Sequence, residues 1–186
     1  MKRRLTQALG GALICAMFGC LLGSYGVYSL GRTDLPWLLA IPLALAVVMV
    51  LVLSRYQRKV EALPPEYADV DATLQHQDAR ARRLFAMVNA VQAIAIVVAA
   101  KLLFASATPE YLAPAAAVIV AVGLITLAKP MGTPAHTVAG VLLLLLATAV
   151  VLSAPHPLWA PMIGLGSAVI LWACYVFQVR AVLSGL

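Results

Sequence analysis

Charged side chains are scarce in this sequence, at 11% of the residues against roughly 25% in an ordinary soluble protein. Apolar residues make up 63%, where about 45–50% is usual. A soluble domain of 186 residues with this composition has too little polar surface to cover its exterior. The scarcity of charge therefore argues against a soluble globular domain and predicts that lipid surrounds most of the chain.

Acidic residues and catalytic motifs are also missing where a membrane enzyme or pump would need them. No Asp or Glu lies within any long apolar stretch, and no GxSxG, HExxH or P-loop motif occurs. Proton- and cation-coupled transporters generally carry a carboxylate at membrane depth, so its absence argues against that class. His136 and His156 are expected on opposite sides of the membrane and cannot share a site. We therefore expect no enzymatic activity.

Six apolar stretches follow one another along the chain, and only one long hydrophilic segment, residues 54–83, separates them. A helix needs about 20 residues to cross the hydrocarbon core of a bilayer. Runs without alternation, such as VLLLLL at 141–146, are not those of a β-barrel. The sequence predicts an all-α, polytopic bundle in one membrane domain over 1–186, with a cytoplasmic loop at 54–83. The six predicted transmembrane helices are 7–30, 36–53, 84–106, 111–128, 136–153 and 158–178.

Lysine and arginine are distributed unevenly around these stretches. If the chain crosses the membrane six times, eleven of the 13 lie on one side. The positive-inside rule then places the N- and C-termini in the cytoplasm and predicts a multi-pass protein of the bacterial inner membrane. The net charge of +6 is a consequence of this topology, so we expect the lipid bilayer as partner and no nucleic acid.

The three cysteines, Cys15, Cys20 and Cys174, all fall within predicted spans. An odd number without CxxC spacing argues against a disulfide framework or a metal site. We expect small buried packing residues instead. Four residues of the hydrophilic segment invite a metal hypothesis, but their spacing matches neither an EF-hand nor a zinc pattern: Asp69, Asp71, His76 and Asp78. The sequence therefore predicts no metal and no cofactor.

A stripe of small residues runs along the first span at four-residue intervals, formed by Gly11, Cys15, Gly19 and Gly23. Such a stripe lies on one helix face and lets two backbones approach closely. The sixth span has a weaker version that includes Gly164. The favoured interpretation is packing between helices of this chain. The alternative is docking of a second copy or of a partner membrane subunit.

Polar side chains at membrane depth are the best indicators of a functional site, because burying them in lipid is costly. The topology places five of them on the cytoplasmic half, and Lys129 lies beside them: Asn89, Gln92, Thr126, His136 and Thr137. They are interpreted either as interhelical hydrogen-bonding groups or as the lining of an inward-facing binding vestibule. Lys101 is the one charge inside a span. We interpret it as reaching the outer interface, with an anion-contact or gating role as the alternative.

Three short patterns resemble those of a known group. They are Asn89-x-x-Gln92, Tyr111-x-x-Pro114 and Gly123-Leu124-Ile125-Thr126. The group comprises small, uncharacterised bacterial integral membrane proteins with six spans and no assigned activity. Many members carry a Gly-Leu-His-Phe-like segment where this chain has Gly123 to Thr126, so that histidine is not carried over. The resemblance implies a membrane fold and singles out Asn89 and Gln92 for testing.

Two classes of function are compatible with these observations. The first is a small-solute transporter, channel or membrane substrate-binding subunit with a polar vestibule facing the cytoplasm. The second is a non-transporting accessory or assembly protein. Its charged segment at 54–83 would bind a partner or anionic lipid headgroups. We favour the first class.

Overall fold

Six long helices make up nearly all of the computed structural model, which describes residues 2–31, 36–62 and 72–183. The helices are α1 (Lys2–Tyr28), α2 (Ala40–Glu61), α3 (Ala72–Ala105), α4 (Leu112–Met131), α5 (Pro134–Ser153) and α6 (Trp159–Leu183). No strand occurs among these described residues, and each helix is long and apolar enough to cross a membrane. The prediction of an all-α bundle of six membrane-spanning helices is confirmed.

The helices extend beyond the predicted spans on the side rich in lysine and arginine. Helix α2 continues through Arg55 and Arg58 to Glu61, and α3 begins at Ala72 and runs without interruption into its apolar part. The described part of the predicted loop at 54–83 is therefore helical, apart from the turn at Ala62. Asp69 and Asp71 lie outside the described residues, and the side chains of His76 and Asp78 are not described either.

Three helices begin with a short 3-10 turn that contains proline. These turns are Pro36–Leu39 before α2, Pro109–Tyr111 before α4 and His156–Leu158 before α6. Proline is well tolerated at a helix start because its missing N–H would have no partner within the helix. The chain thus starts each of these three helices in the same way, at the end of the bundle opposite the basic residues.

Helices α1 and α6 form the closest pair in the bundle. A Cβ atom added to Gly164 would lie 2.6 Å from the Cα atom of Gly26, so the two backbones touch there. Gly19 packs against the ring of Trp172, and Gly23 packs against Ala168. Close backbone approach replaces the hydrophobic driving force that lipid does not provide. The small-residue stripe of α1 is therefore buried within this chain, against α6.

The remaining helices surround this pair. Helix α5 packs on α4 and α6, α4 also contacts α6, α2 packs mainly on α1, and α3 packs mainly on α4. Two buried side chains tie the outer helices to the bundle. Tyr175 donates a hydrogen bond to the Met49 carbonyl at 2.8 Å, and Gln92 bonds the Ile119 carbonyl at 3.1 Å. Most of the surface of α2 and α3 stays exposed and apolar, as expected for helices that face lipid.

One end of the bundle holds the start of α1, the end of α2, the start of α3, the α4–α5 turn and the end of α6. It is called the basic end below, because the following side chains lie there: Arg55, Arg58, Lys59, Arg80, Arg83, Lys129 and Arg180. The α4–α5 turn is tight. Gly132 has φ of +61°, a left-handed conformation that glycine adopts without strain, and α5 restarts two residues later.

Candidate functional site

Cys15, His136 and Cys174 meet in the interior of the bundle, where three helices converge. Cys15 lies midway along α1, His136 in the first turn of α5 and Cys174 in the second half of α6. Their sulfur atoms and an imidazole nitrogen all lie within 4.8 Å of one another. Cys15 and His136 are completely buried, and Cys174 is 7% exposed. Two sulfurs and one imidazole nitrogen form a donor set that thiophilic metal ions prefer.

Thr133 fixes the orientation of the His136 ring. The Thr133 hydroxyl lies 2.6 Å from Nδ1 of His136, and Nε2 on the other side of the ring lies 3.2 Å from the amide nitrogen of Gln178. Where the Gln178 amide nitrogen donates to Nε2 of His136, the ring proton is on Nδ1, which donates to Thr133. The lone pair of the imidazole therefore points into the cluster, toward the cysteines.

Gln178 places its amide nitrogen among all three groups. This nitrogen lies 3.1 Å from the Cys174 sulfur and 3.7 Å from the Cys15 sulfur, in addition to its contact with His136. An NH₂ group carries two protons, so it cannot satisfy three acceptors fully. The amide oxygen of Gln178, which is 2% exposed as a residue, is buried and has no hydrogen-bond partner among the described residues.

Gly11 gives His136 and Gln178 the room they occupy. A Cβ atom at Gly11 would lie 2.5 Å from the amide oxygen of Gln178 and 2.6 Å from Cε1 of His136. Gly10, the preceding residue, has only an ordinary contact at 3.8 Å, with Met131. The stripe on α1 therefore does two things. It allows close packing on α6, and at Gly11 it accommodates the side chains of the cluster.

A cavity of about 590 Å³ opens at the basic end, between the start of α1, the α4–α5 turn and the end of α6. Thr133 and Gln178 line this cavity and also contact His136, so they separate it from the cluster behind them. Gln7 adds a second amide, and Lys129 is the one charged side chain among the described residues of the lining. The cavity thus combines a mostly apolar wall with a cation and several hydrogen-bonding groups.

The structure separates the polar residues that the sequence singled out. The Asn89 amide donates to the Phe85 carbonyl of its own helix at 2.8 Å. The Thr126 hydroxyl does the same to Val122 at 2.8 Å, on an exposed face of α4. Gln92 is 5% exposed and bonds carbonyl groups of α4. None of these three lines the cavity described above.

His136 and Lys129 are the two predicted site residues that lie at the α4–α5 turn, beside the cavity or directly behind its wall. Lys101 is exposed on α3, four residues before the helix ends at Ala105. The interpretation that Lys101 extends toward the interface stays a prediction. Of the residues predicted to line a vestibule, Lys129 and His136 lie at the cavity or directly behind its wall, whereas Asn89, Gln92 and Thr126 lie elsewhere.

Sequence reasoning did not recognise Cys15, Cys174 and Gln178 as members of one site. The spacing argument against a metal site applies to ligands that are close in the chain, whereas these residues come from α1 and α6 and meet His136 of α5. Gln178 marked the end of the predicted sixth span, so it was not counted among the polar residues at depth. The usable signal was the presence of two cysteines and one glutamine within apolar helices.

No protein-family model, curated protein or solved structure matches this chain. The resemblance to small six-span bacterial membrane proteins therefore remains a prediction from the sequence. The geometry of the cavity and of the buried cluster is the basis for the functional proposals that follow.

Proposed function

We propose that this protein binds a small organic anion in the cavity at the basic end, as a small-solute transporter or a membrane substrate-binding subunit. The cavity is the observation that supports this proposal. Its volume of about 590 Å³ lies within the range of roughly 300–1,000 Å³ that is usual for ligand sites. A few polar groups in a largely apolar wall are also typical of such sites.

The charge of the lining indicates the class of solute. Lys129 contributes a positive charge and no Asp or Glu is among the described lining residues, so a carboxylate on the solute would find a partner there. Gln7 and Thr133 add polar side chains to the wall, while Leu5 and Phe177 offer apolar contact. A small carboxylic acid with a short hydrocarbon part matches this combination.

The direction of loading follows from the topology. Under the positive-inside rule the basic end faces the cytoplasm of a bacterial inner membrane, so the cavity would open inward. The other end carries Tyr111, His156 and Trp159, whose rings contact one another at centroid distances of 4.4–6.3 Å. Tyrosine and tryptophan are enriched at membrane interfaces. The alternative role, an accessory protein acting through 54–83, depends on the charge of that segment alone.

Thermal unfolding in detergent tests the proposal with defined probes. Acetate, succinate, phosphate and choline are added separately to the wild type, to Lys129→Gln and to Lys101→Gln. A ligand at 100 times its Kd stabilises a protein by about 2.7 kcal/mol, which raises the Tm of a chain of this size by about 5 °C or more. We expect a carboxylate to produce this shift in the wild type and in Lys101→Gln, and to lose it in Lys129→Gln. The proposal fails if no probe stabilises the protein, or if Lys129→Gln keeps the full shift.

A further inference from the structure

The cluster of Cys15, His136 and Cys174 has the properties of a metal site. The proposed binding of an organic anion in the cavity does not require this cluster. We infer that it binds one zinc ion, which links α1, α5 and α6 inside the bundle. The three ligand atoms come from three helices, lie within 4.8 Å of one another and are shielded from solvent. The inference stands whether or not the neighbouring cavity takes an organic anion.

The geometry requires only a small adjustment. Zinc binds sulfur at about 2.3 Å and imidazole nitrogen at about 2.0–2.1 Å, so adjacent ligands of a tetrahedral site lie about 3.5–3.8 Å apart. The observed limit of 4.8 Å exceeds this by about 1 Å. Rotation of the cysteine side chains about their Cα–Cβ bonds is sufficient to close a gap of that size. No helix has to move as a unit, but the Gln178 amide nitrogen that lies between the three ligands has to leave.

Charge balance favours a divalent ion such as zinc over monovalent Cu⁺. A net charge is costly in an interior from which water is excluded. Two thiolates and a neutral imidazole carry a total charge of −2, which Zn²⁺ neutralises completely. Cu⁺ on the same ligands leaves a net charge of −1 with no described cation in contact with the cluster. Carboxylate-preferring ions such as Mg²⁺ and Ca²⁺ do not match sulfur ligands.

Thr133 supplies the outer partner that metal-binding histidines usually have. Its hydroxyl is 2.6 Å from Nδ1 of His136 and holds the ring so that Nε2 faces the sulfur atoms. A hydrogen bond at the second ring nitrogen is the usual device that fixes the tautomer and the orientation of a ligating imidazole. The turn that creates the cavity therefore also prepares His136 for coordination.

The Gln178 amide occupies the place where the ion would lie. Its nitrogen is 3.1–3.7 Å from the two sulfurs and from Nε2 of His136, while its oxygen is buried without a partner. A half-turn of the amide would only put its oxygen in the same place, so the Gln178 side chain has to withdraw toward the cavity that it lines when the ion binds. From that position its oxygen can serve as a fourth ligand on the side of the cavity. Each thiol gives up its proton on binding, so Zn²⁺ and two thiols yield a neutral dithiolate complex and two protons.

Metal analysis of the purified full-length protein in detergent, with a non-thiol reductant present, tests the inference. We expect one zinc per chain in the wild type and less than a tenth of that in Cys15→Ser, Cys174→Ser and His136→Gln. Cys20→Ala is the matched control, because Cys20 is on the same helix as Cys15 but outside the cluster. It should retain one zinc, and so should Lys129→Gln, whose loss of anion binding is a separate result.

A cobalt spectrum of the wild type tests the inference without any variant. Co²⁺ in place of zinc should give strong thiolate-to-cobalt charge-transfer absorption, together with the visible bands of a tetrahedral site. Far-ultraviolet circular dichroism and size-exclusion profiles identify variants that fail to fold, which are then excluded. The inference is overturned if the wild type binds no zinc and shows no cobalt–thiolate absorption. It is also overturned if folded Cys15→Ser retains full zinc.

Discussion

The amide nitrogen of Gln178 lies 3.2 Å from Nε2 of His136, and both side chains are buried between α1, α5 and α6. This contact joins two features of the bundle that are otherwise separate. Gln178 also lines the cavity at the basic end, and His136 belongs to the group formed with Cys15 and Cys174. A substitution of Gln178 is therefore expected to disturb the interior cluster most and the lining of the cavity to a smaller extent.

Replacing Gln178 with Leu should destabilise the metal-free protein by about 1–3 kcal/mol, because buried acceptors lose their donor. Saturating zinc should recover much of this loss, since the ion becomes the partner of the same three groups. Unfolding by SDS, with and without zinc, measures both effects. Gln57→Leu is the control: Gln57 is exposed and bonds Glu61, so its loss should cost no more than about 0.5 kcal/mol. An equal effect of the two substitutions would contradict this account of Gln178.

The adjacent glycines Gly10 and Gly11 should respond in opposite ways to alanine. Alanine favours a helix by about 1 kcal/mol over glycine, and at Gly10 the new Cβ meets only Met131 at an ordinary 3.8 Å. At Gly11 the new Cβ overlaps His136 and Gln178. We expect Gly10→Ala to keep or raise the Tm and to keep its zinc. Gly11→Ala should lower the Tm and bind less zinc although every ligand is present. Equal Tm and zinc content in both variants would show that the cluster is not as close to α1 as the structure places it.

Hydropathy alone was sufficient to identify the six spans but not the ends of the helices. A helix that leaves lipid for water can continue, as α2 does to Glu61, because backbone hydrogen bonds form in both environments. Helix α4 ends at Met131, where Gly132 adopts a left-handed conformation, three residues after the predicted limit. The end of an apolar run marks a change of solvent, whereas the end of a helix depends on local backbone geometry.

The cluster itself could not be predicted, since it depends on the rotation and depth of three helices relative to one another. Asn89 is the opposite case, a residue that the sequence indicated as a site residue and that the structure places outside the cavity and the cluster. It was singled out as a polar group at depth, yet it satisfies its amide on the Phe85 carbonyl one turn away. Sequence spacing shows which residues share one helix face, but not which face meets another helix.

Gly123 and Gln92 provide a test of how α3 is held to the bundle. The Gln92 amide lies against Gly123 and bonds the carbonyl groups of Ile119 and Val120 at 3.1 and 3.3 Å. Gly123→Ala alone would push this amide away, and we expect a loss of about 1–3 kcal/mol. Gln92→Ala removes both the hydrogen bonds to α4 and the amide group that a Cβ atom at position 123 would meet. The double variant should therefore be more stable than the sum of the single losses predicts, by at least about 1 kcal/mol. Strictly additive unfolding energies would show that the two residues do not touch.

The affinity of the cluster for zinc should decrease as the pH is lowered. Cys15 and Cys174 bind zinc as thiolates, so protons compete with the ion and the affinity falls as the pH is lowered. If both thiols are protonated in the free site, each contributes a factor of ten, and the Kd should rise by up to about 100-fold between pH 7 and pH 6. Competition with a chromogenic chelator at several pH values measures this slope. Any residual binding by Cys174→Ser should show a slope of one proton rather than two, because one thiol is left. A Kd that stays constant over this range would mean that the ion is held elsewhere, by ligands that do not exchange protons with it.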